Sequence, residues 1–448
     1  MVYSQVQFMV KALKKSRYLL IFLILLSIIS SFFAIKRWAG GEKWEWIIAM
    51  DGRGYYAYLP ALFIFSDPTY SFYEKYTPLD GDPANFSNKT EKGTVDKYYY
   101  GEAFLLSPFF FIAHTISKIG GYPLSGYSKP YYLSVMFASI FYFLAGCVFL
   151  WLLLRKMNFN KNIAFATCVA YSFGTNLFYY AVYEPSMSHI YSFFAISAFL
   201  YSLISYFKEP QKRTFLFASF LLGIVVVIRP VNVLILTLIP FIAGDLNHLK
   251  NGFTFIFRNY LIFILSFLIV LFLIFGQLLL YYWQTGQFII WSYKDEGFNF
   301  SNPQIINSLF SYTKGFFVYT PLALISLAGF FLFKENKRYL FFSALIPLFI
   351  IIYVVSSWSS WSYGWSYGLR AYIDYYPFFA ILLAYLLDKC FKKKWSIAII
   401  IILSATIAFS AIQTYQINVR ILHQGDMNKE RYWKVFLKTN SKYENIFY

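Results

Sequence analysis

Apolar runs of about 18 residues or more recur along this chain, each long enough to cross the hydrocarbon of a bilayer as a helix. Backbone groups in lipid must bond one another, so such runs read as helices rather than open strands. Between them, lysine and arginine gather at residues 11–17, 155–161, 208–213, 250–258, 334–338 and 389–394. The alternate loops hold most of the carboxylates, among them Asp51, Glu102, Glu184, Asp295 and Glu296. Basic loops stay on the cytoplasmic side of a membrane. The pattern predicts an all-α polytopic membrane protein whose acidic, aromatic loops form an extracytoplasmic working face.

Composition agrees, at 59% hydrophobic and 13% charged, against about 25% charged in a soluble domain. A net charge of +18 would raise nucleic acid as a partner in a soluble chain. Here 19 of the 39 basic residues lie in the six clusters, so the excess is a topology signal and no nucleic acid is expected. The first apolar run resembles a signal peptide, but Lys36-Arg37-Trp38 follows it where a small-residue cleavage site would stand, so a retained span is expected. Cys147, Cys168 and Cys390 lack CxxC spacing and read as buried apolar side chains.

Eleven spans are expected, with the N-terminus (1–17) cytoplasmic and the tail (414–448) extracytoplasmic. Helix one covers 18–35. A large outer loop (36–129) follows, in which 55–65 and 99–119 are apolar but interrupted by Pro60, Glu102, Pro108 and His114. These two read as interfacial or re-entrant helices, separated by a polar, turn-rich excursion over 66–96. Helices two, three and four cover 131–154, 163–181 and 188–207. Residues 214–243 are split by Arg229-Pro230. One tilted span there would put the last two basic clusters outside, so two short helices meeting below the outer surface are expected instead. Helix seven covers 260–282 and closes a module running from residue 18. A second outer loop (283–315) and helices eight to eleven (316–333, 339–356, 371–387 and 395–413) complete the chain.

Asp51 leads the residues able to carry chemistry. It stands in Met50-Asp51-Gly52-Arg53-Gly54-Tyr55-Tyr56, where the glycines let the backbone turn and set a carboxylate at the mouth of a helix. Such a group takes a proton from a hydroxyl or binds a cation; a turn residue or helix cap is the plain alternative. Arg229, at a break below the membrane surface, needs a partner such as a carboxylate or a lipid phosphate, or snorkels to the interface. Trp358, Trp361, Trp365, Gly364, Gly368 and Arg370 form a third cluster, whose tryptophans fit an aromatic belt as well as sugar stacking. Glu102 is an ionisable group in an apolar helix, and Glu184 and His189 mark the outer start of helix four. Asp51, Glu102 and His189 together offer a metal site for a divalent cation such as Mg2+ or Mn2+. No Walker loop, GxGxxG, HExxH or CxxC pattern is present, which argues against a cytoplasmic nucleotide-dependent site.

In order, Asp51-Gly-Arg-Gly-Tyr-Tyr-Ala-Tyr-Leu-Pro60, Tyr100-Gly-Glu-Ala-Phe-Leu-Leu-Ser-Pro-Phe-Phe110, Met187-Ser-His189, Arg229-Pro230 and Trp365-Ser-Tyr-Gly-Leu-Arg370 give the chain a resemblance. It is similar to the GT-C superfamily of integral-membrane glycosyltransferases, in particular bacterial members related to protein mannosyltransferases and aminoarabinose transferases. The resemblance covers most of helices one to ten and implies a polyprenyl-phosphate sugar donor in the bacterial inner membrane. The family's first-loop acidic residue corresponds to Asp51, as base or metal ligand. The usual acidic pair is broken here, because Gly52 follows Asp51.

On that reading Asp51 takes the proton of an acceptor hydroxyl, on a protein, lipid or glycan. Arg229 and Arg370 hold the donor phosphate. Tyr55, Tyr56, Glu102, Glu184, His189, Trp361 and Trp365 contact sugar or acceptor. Two rival readings share the location: a transporter or flippase of a lipid-linked glycan, and a polymerase or ligase of surface polysaccharide.

Overall fold

The computed structural model describes residues 17–73, 86–90, 93–333, 336–392 and 395–448. The expected cytoplasmic N-terminus, apart from Arg17, lies outside the described residues. So do Lys334, Lys393 and Lys394 of the basic clusters and the middle of the turn-rich excursion.

The first span, α1 (Arg17–Trp38), buries Leu19, Phe22, Leu26, Ser30, Ala34 and Trp38. That spacing of three and four residues makes one stripe on a helix that is apolar all round, as expected where the other face meets lipid. The Trp38 indole donates to Val182 O at 2.8 Å and fixes the upper end of the stripe. A short helix, α2 (Asp51–Pro60), follows. Then comes a hairpin of β1 (Ser87–Thr90) and β2 (Gly93–Asp96), antiparallel with Ser87 opposite Asp96.

Helix α3 (Gly101–Gly120) is continuous, against the broken segment expected over 99–119. Pro108 sits inside it and leaves the Phe104 carbonyl without its usual donor. The Ser107 hydroxyl fills that role at 2.7 Å. Helix α4 (Lys129–Lys156) runs antiparallel to α3, with the Tyr142 hydroxyl on Leu105 O at 2.7 Å and His114 Nδ1 2.7 Å from the Tyr131 hydroxyl.

Expected helix three is two helices, α5 (Lys161–Phe173) and α6 (Leu177–Tyr183). At the break the Thr175 hydroxyl donates to Tyr171 O at 2.7 Å and accepts from Leu177 N, so the freed backbone groups are met locally. The Asn176 amide donates to Tyr367 O at 2.8 Å, and its oxygen accepts from the Tyr376 hydroxyl. Helix α7 (Ser188–Lys208) is buried along nearly its whole length and packs on α4 and on α8 (Lys212–Ile228). At 1.5 Å per residue, α7 sets His189 roughly 30 Å from Lys208. The Lys208 ammonium in turn donates to Lys156 O. The basic clusters at 155–161 and 208–213 thus lie at one end of the bundle and Arg229 returns to the other.

The break expected at Arg229-Pro230 is present. Arg229 is extended (φ −150°, ψ 115°), and Pro230 opens a 3-10 helix, Pro230–Leu238. After Pro230–Ala243 the chain bends by 120° into α9 (Leu246–Arg258), whose start is capped by Asp245 accepting from His248 N at 2.8 Å. Helix α10 (Tyr260–Thr285) follows.

Expected helix eight dissolves into Phe316–Tyr319, Pro321–Ser326 and a 3-10 turn, Leu327–Leu332. Pro321 withholds an N–H, and Gly329 lies so close to Leu382 that an added Cβ would stand 2.0 Å from its carbonyl oxygen. The chain ends with α11 (Lys337–Ser356), α12 (Tyr376–Cys390) and α13 (Ser396–Asn418). Expected helix ten begins as a 3-10 turn, Arg370–Tyr375, before α12.

Among the described residues seven helices are long and apolar enough to cross a membrane: α1, α3, α4, α7, α10, α11 and α13. The bent pair ending in α9 makes eight, against the eleven spans expected. Breaks at 174–176 and 320 and the 3-10 turn at 370–375 shorten expected helices three, eight and ten, and the two halves meeting at Arg229 are each too short to cross alone. Helix α3, by contrast, expected as an interfacial or re-entrant helix, is long enough to be counted.

Candidate functional site

Asp51 is delivered by a tight turn. Met50 has φ 51° and ψ −127°, a combination that favours glycine and stores about 1–3 kcal/mol in another residue. Gly52 N donates to Ala49 O at 2.9 Å and Arg53 N to Met50 O at 3.1 Å, closing the turn into α2. The carboxylate therefore stands in the first helical turn, where the helix dipole favours negative charge. Gly52 has no room for a side chain: an added Cβ would lie 2.0 Å from Ser186 Oγ. An acidic side chain at position 52 would therefore have no space beside Asp51.

Asp51 opens into a cavity of about 380 Å³ at the end of the bundle remote from Lys208. The cavity is lined by Tyr55 from α2, Tyr98 before α3, His189 at the start of α7, Arg229 at the break and Arg370. Trp291, Tyr293, Trp358 and Tyr363 form an aromatic side, and Ile228, Pro230 and Val231 an apolar one.

Two arginine–carboxylate pairs organise this space. Arg370 donates to Asp51 Oδ2 at 2.5 Å, and its other terminal nitrogen meets the Met187 sulfur at 3.3 Å. The Asp51 side chain is 27% exposed and that of Arg370 10%. Arg229 donates to Asp374 Oδ2 at 3.2 Å, while Asp374 Oδ1 lies 2.8 Å from His189 Nδ1. Arg229 also reaches His189 Nδ1 at 2.9 Å. Asp374 is 1% exposed, so it braces the wall and Asp51 faces the space. Burial would raise the Asp51 carboxyl, but the Arg370 guanidinium and a hydrogen bond from Tyr98 outweigh it and hold the group below the usual carboxylate range.

The aromatic side is a contact chain. Tyr55 and Tyr98 lie 4.5 Å apart between ring centres, Tyr98 and Tyr293 6.0 Å, and Tyr293 and Trp358 5.3 Å. The Tyr55 hydroxyl accepts from Ser188 at 3.0 Å. Rings so held present fixed faces to a ligand at little further ordering cost.

Asp51, Tyr55, His189, Arg229 and Arg370, all singled out in the sequence, therefore meet at one cavity. Tyr56, Glu102, Glu184, Trp361 and Trp365 do not line it. Tyr56 is buried, with its hydroxyl on Gly126 O at 2.6 Å. Glu184 accepts from Tyr179 at 3.1 Å. Trp365 is exposed and packs on His423 and Tyr448 of the tail. Its place at the cavity is taken by Trp358, seven positions earlier. Glu102 is fully buried, and among the described residues neither of its carboxyl oxygens has a hydrogen-bond partner.

Asp51, Glu102 and His189 do not assemble into the metal site expected of them. Among the described residues no three His, Cys, Asp or Glu side chains come together closely enough to hold an ion. The reason is local, since His189 Nδ1 is turned to Asp374 and Arg229.

The residues expected from sequence do not include Asp374, Tyr98, Tyr293 or Lys314. Asp374 stands one helical turn after Arg370, and that spacing was its one available signal. Lys314, 1% exposed, donates to Ser366 O at 2.5 Å, to Ser366 Oγ at 2.9 Å and to Gln424 O. It joins the second loop, the segment leading to Arg370 and the C-terminal tail. Burial pushes its ammonium well below the usual lysine value.

No protein-family model and no curated protein matches this chain.

Proposed function

We propose that this chain is a glycosyltransferase of the bacterial cytoplasmic membrane, of GT-C type, which moves a sugar from a polyprenyl phosphate to an acceptor hydroxyl on the extracytoplasmic side. The observation that carries the reading is the Asp51–Arg370 pair, facing a cavity of about 380 Å³ with Arg229 and a run of aromatic rings. The cavity lies at the end of α7 and α8 opposite their basic clusters, which positive-inside topology puts on the extracytoplasmic side.

The roles follow from the chemistry. The acceptor oxygen forms a bond to the anomeric carbon, and the bond from that carbon to the phosphate oxygen breaks. The electron pair leaves with polyprenyl phosphate, whose growing charge Arg370 and Arg229 stabilise. The acceptor's proton passes to the Asp51 carboxylate. Tyr55, Tyr98, Tyr293 and Trp358 offer their faces to the sugar, and Ile228, Pro230 and Val231 offer an apolar surface to the first prenyl units.

A transporter of a lipid-linked glycan is the second reading. The breaks at 174–176 and 320, beside that at Arg229, favour it, because transporters place binding sites at broken helices. The test is purified protein in liposomes given a panel of polyprenyl-phosphate monosaccharides. A transferase releases polyprenyl phosphate when the acceptor is present. Movement of intact donor between leaflets with no release identifies the transporter.

A further inference from the structure

The two arginines of the cavity differ in how firmly they are held. Arg229 is tied to a carboxylate that is 1% exposed and is itself held by His189. That assembly is part of the wall. Arg370 is tied to Asp51, whose side chain is 27% exposed and lines the cavity. A guanidinium carries five N–H donors. Among the described residues, those of Arg370 meet one carboxylate oxygen at 2.5 Å and the thioether of Met187 at 3.3 Å. A thioether is a weak acceptor, so Arg370 keeps donor capacity at the cavity that a phosphate satisfies far better.

We propose that the donor's phosphate and Asp51 compete for Arg370, so that binding of the phosphate draws the guanidinium away and frees the Asp51 carboxylate to act as base. The inference rests on the reading of the site as one for polyprenyl phosphate. It gives the reaction an order. Without donor, Asp51 is an ion-pair partner and a weak proton acceptor. With donor bound, the positive charge that stabilised its ionised form is shared with the phosphate, and the second negative charge nearby raises its proton affinity. Base strength thus appears only when there is a sugar to transfer. The dependence is reciprocal: the Asp51–Arg370 pair weakens phosphate binding by the same factor as bound phosphate weakens the pair.

Arg229 cannot serve this role. Drawing it away would strand the Asp374 carboxylate in the wall, at a cost far above that of releasing a carboxylate already open to water.

The experiment measures binding of polyprenyl phosphate, without sugar, to full-length protein in phosphatidylcholine nanodiscs. Wild type, Asp51→Asn, Arg370→Gln, Arg370→Lys and the Asp51→Asn/Arg370→Gln double variant are compared, each first shown to be monodisperse with a cooperative thermal transition. Asp51→Asn is expected to bind about tenfold more tightly than wild type, near the lower end of close charge-pair couplings. Arg370→Gln binds more weakly, Arg370→Lys lies between, and Asp51→Asn brings no gain on the Arg370→Gln background.

Equal binding by wild type and Asp51→Asn overturns the exchange. So does an equal gain on both backgrounds, since that is general charge repulsion rather than competition for Arg370. If wild type binds and Arg370→Gln binds as well, the exchange falls while the donor reading stands. If no variant binds the lipid phosphate, both fall.

Discussion

Arg229 and Asp374 meet at 3.2 Å across 145 positions of sequence, with the carboxylate 1% and the guanidinium 16% exposed. A pair this deep makes each partner necessary to the other. Arg229→Met alone leaves an uncompensated buried carboxylate and is expected to destabilise the protein by about 3–5 kcal/mol. Arg229→Met with Asp374→Leu removes both charges and should cost markedly less than the sum of the single variants. Denaturant unfolding in detergent, run as a double-mutant cycle, checks this; strict additivity contradicts the pairing.

Gly52 packs against Ser186 with no space for a Cβ. Gly52→Ala is expected to cost about 1–3 kcal/mol through overpacking and to displace the turn that carries Asp51. Ser186→Gly in the same chain should restore part of the loss. A thermal melt of the three variants reads it out, and an unchanged midpoint in Gly52→Ala refutes the contact.

Asp51 supplies a pH dependence of known sign. Its carboxyl is held below the usual range in the folded protein, by Arg370 and Tyr98 against the opposing effect of burial. Its contribution to stability is therefore present above the unfolded value, near about 4, and is lost as pH falls through the lower folded value. The stability difference between wild type and Asp51→Asn should be constant near neutrality and shrink on acidification below about pH 4. A difference that grows toward low pH would reverse the sign.

The tryptophans separate by position. Trp358 lines the cavity and meets Tyr293 and Phe298 at 5.3 and 5.0 Å, whereas Trp365 packs on the tail. Trp358→Ala is expected to lower kcat/KM roughly tenfold, about 1.4 kcal/mol of transition-state binding. Trp361→Ala and Trp365→Ala should leave it nearly unchanged. Equal losses at all three positions would mean that the rings act through folding alone.

How much of this was legible follows from where each signal lives. Hydropathy is a property of the local chain, so the helical, membrane-crossing character is readable, whereas the buried stripe of α1 is not, because that helix is apolar all round. The proline at 230 made the break at Arg229 readable too, because the lost N–H is local. Pro321 is a comparable local signal, masked by the mostly apolar residues around it. The break at 174–176 has no proline, and it depends on Asn176 bonding Tyr367 and Tyr376 nearly two hundred positions away. Long-range choices of that kind also decided which tryptophan reached the cavity and why Glu102 stayed outside it. His189 looked like a metal ligand because its neighbour Asp374 could not be placed beside it from sequence. Asp51 and Arg370 were each visible as unusual residues; that they meet was not.

The most direct test of the account is sugar release from a radiolabelled polyprenyl-phosphate monosaccharide by purified protein, wild type beside Asp51→Asn. Both must first show a cooperative thermal transition and bind polyprenyl phosphate. The account predicts turnover in wild type and a loss of about 10²–10⁴-fold in Asp51→Asn, the range for a missing general base. Equal turnover in the two proteins would contradict it.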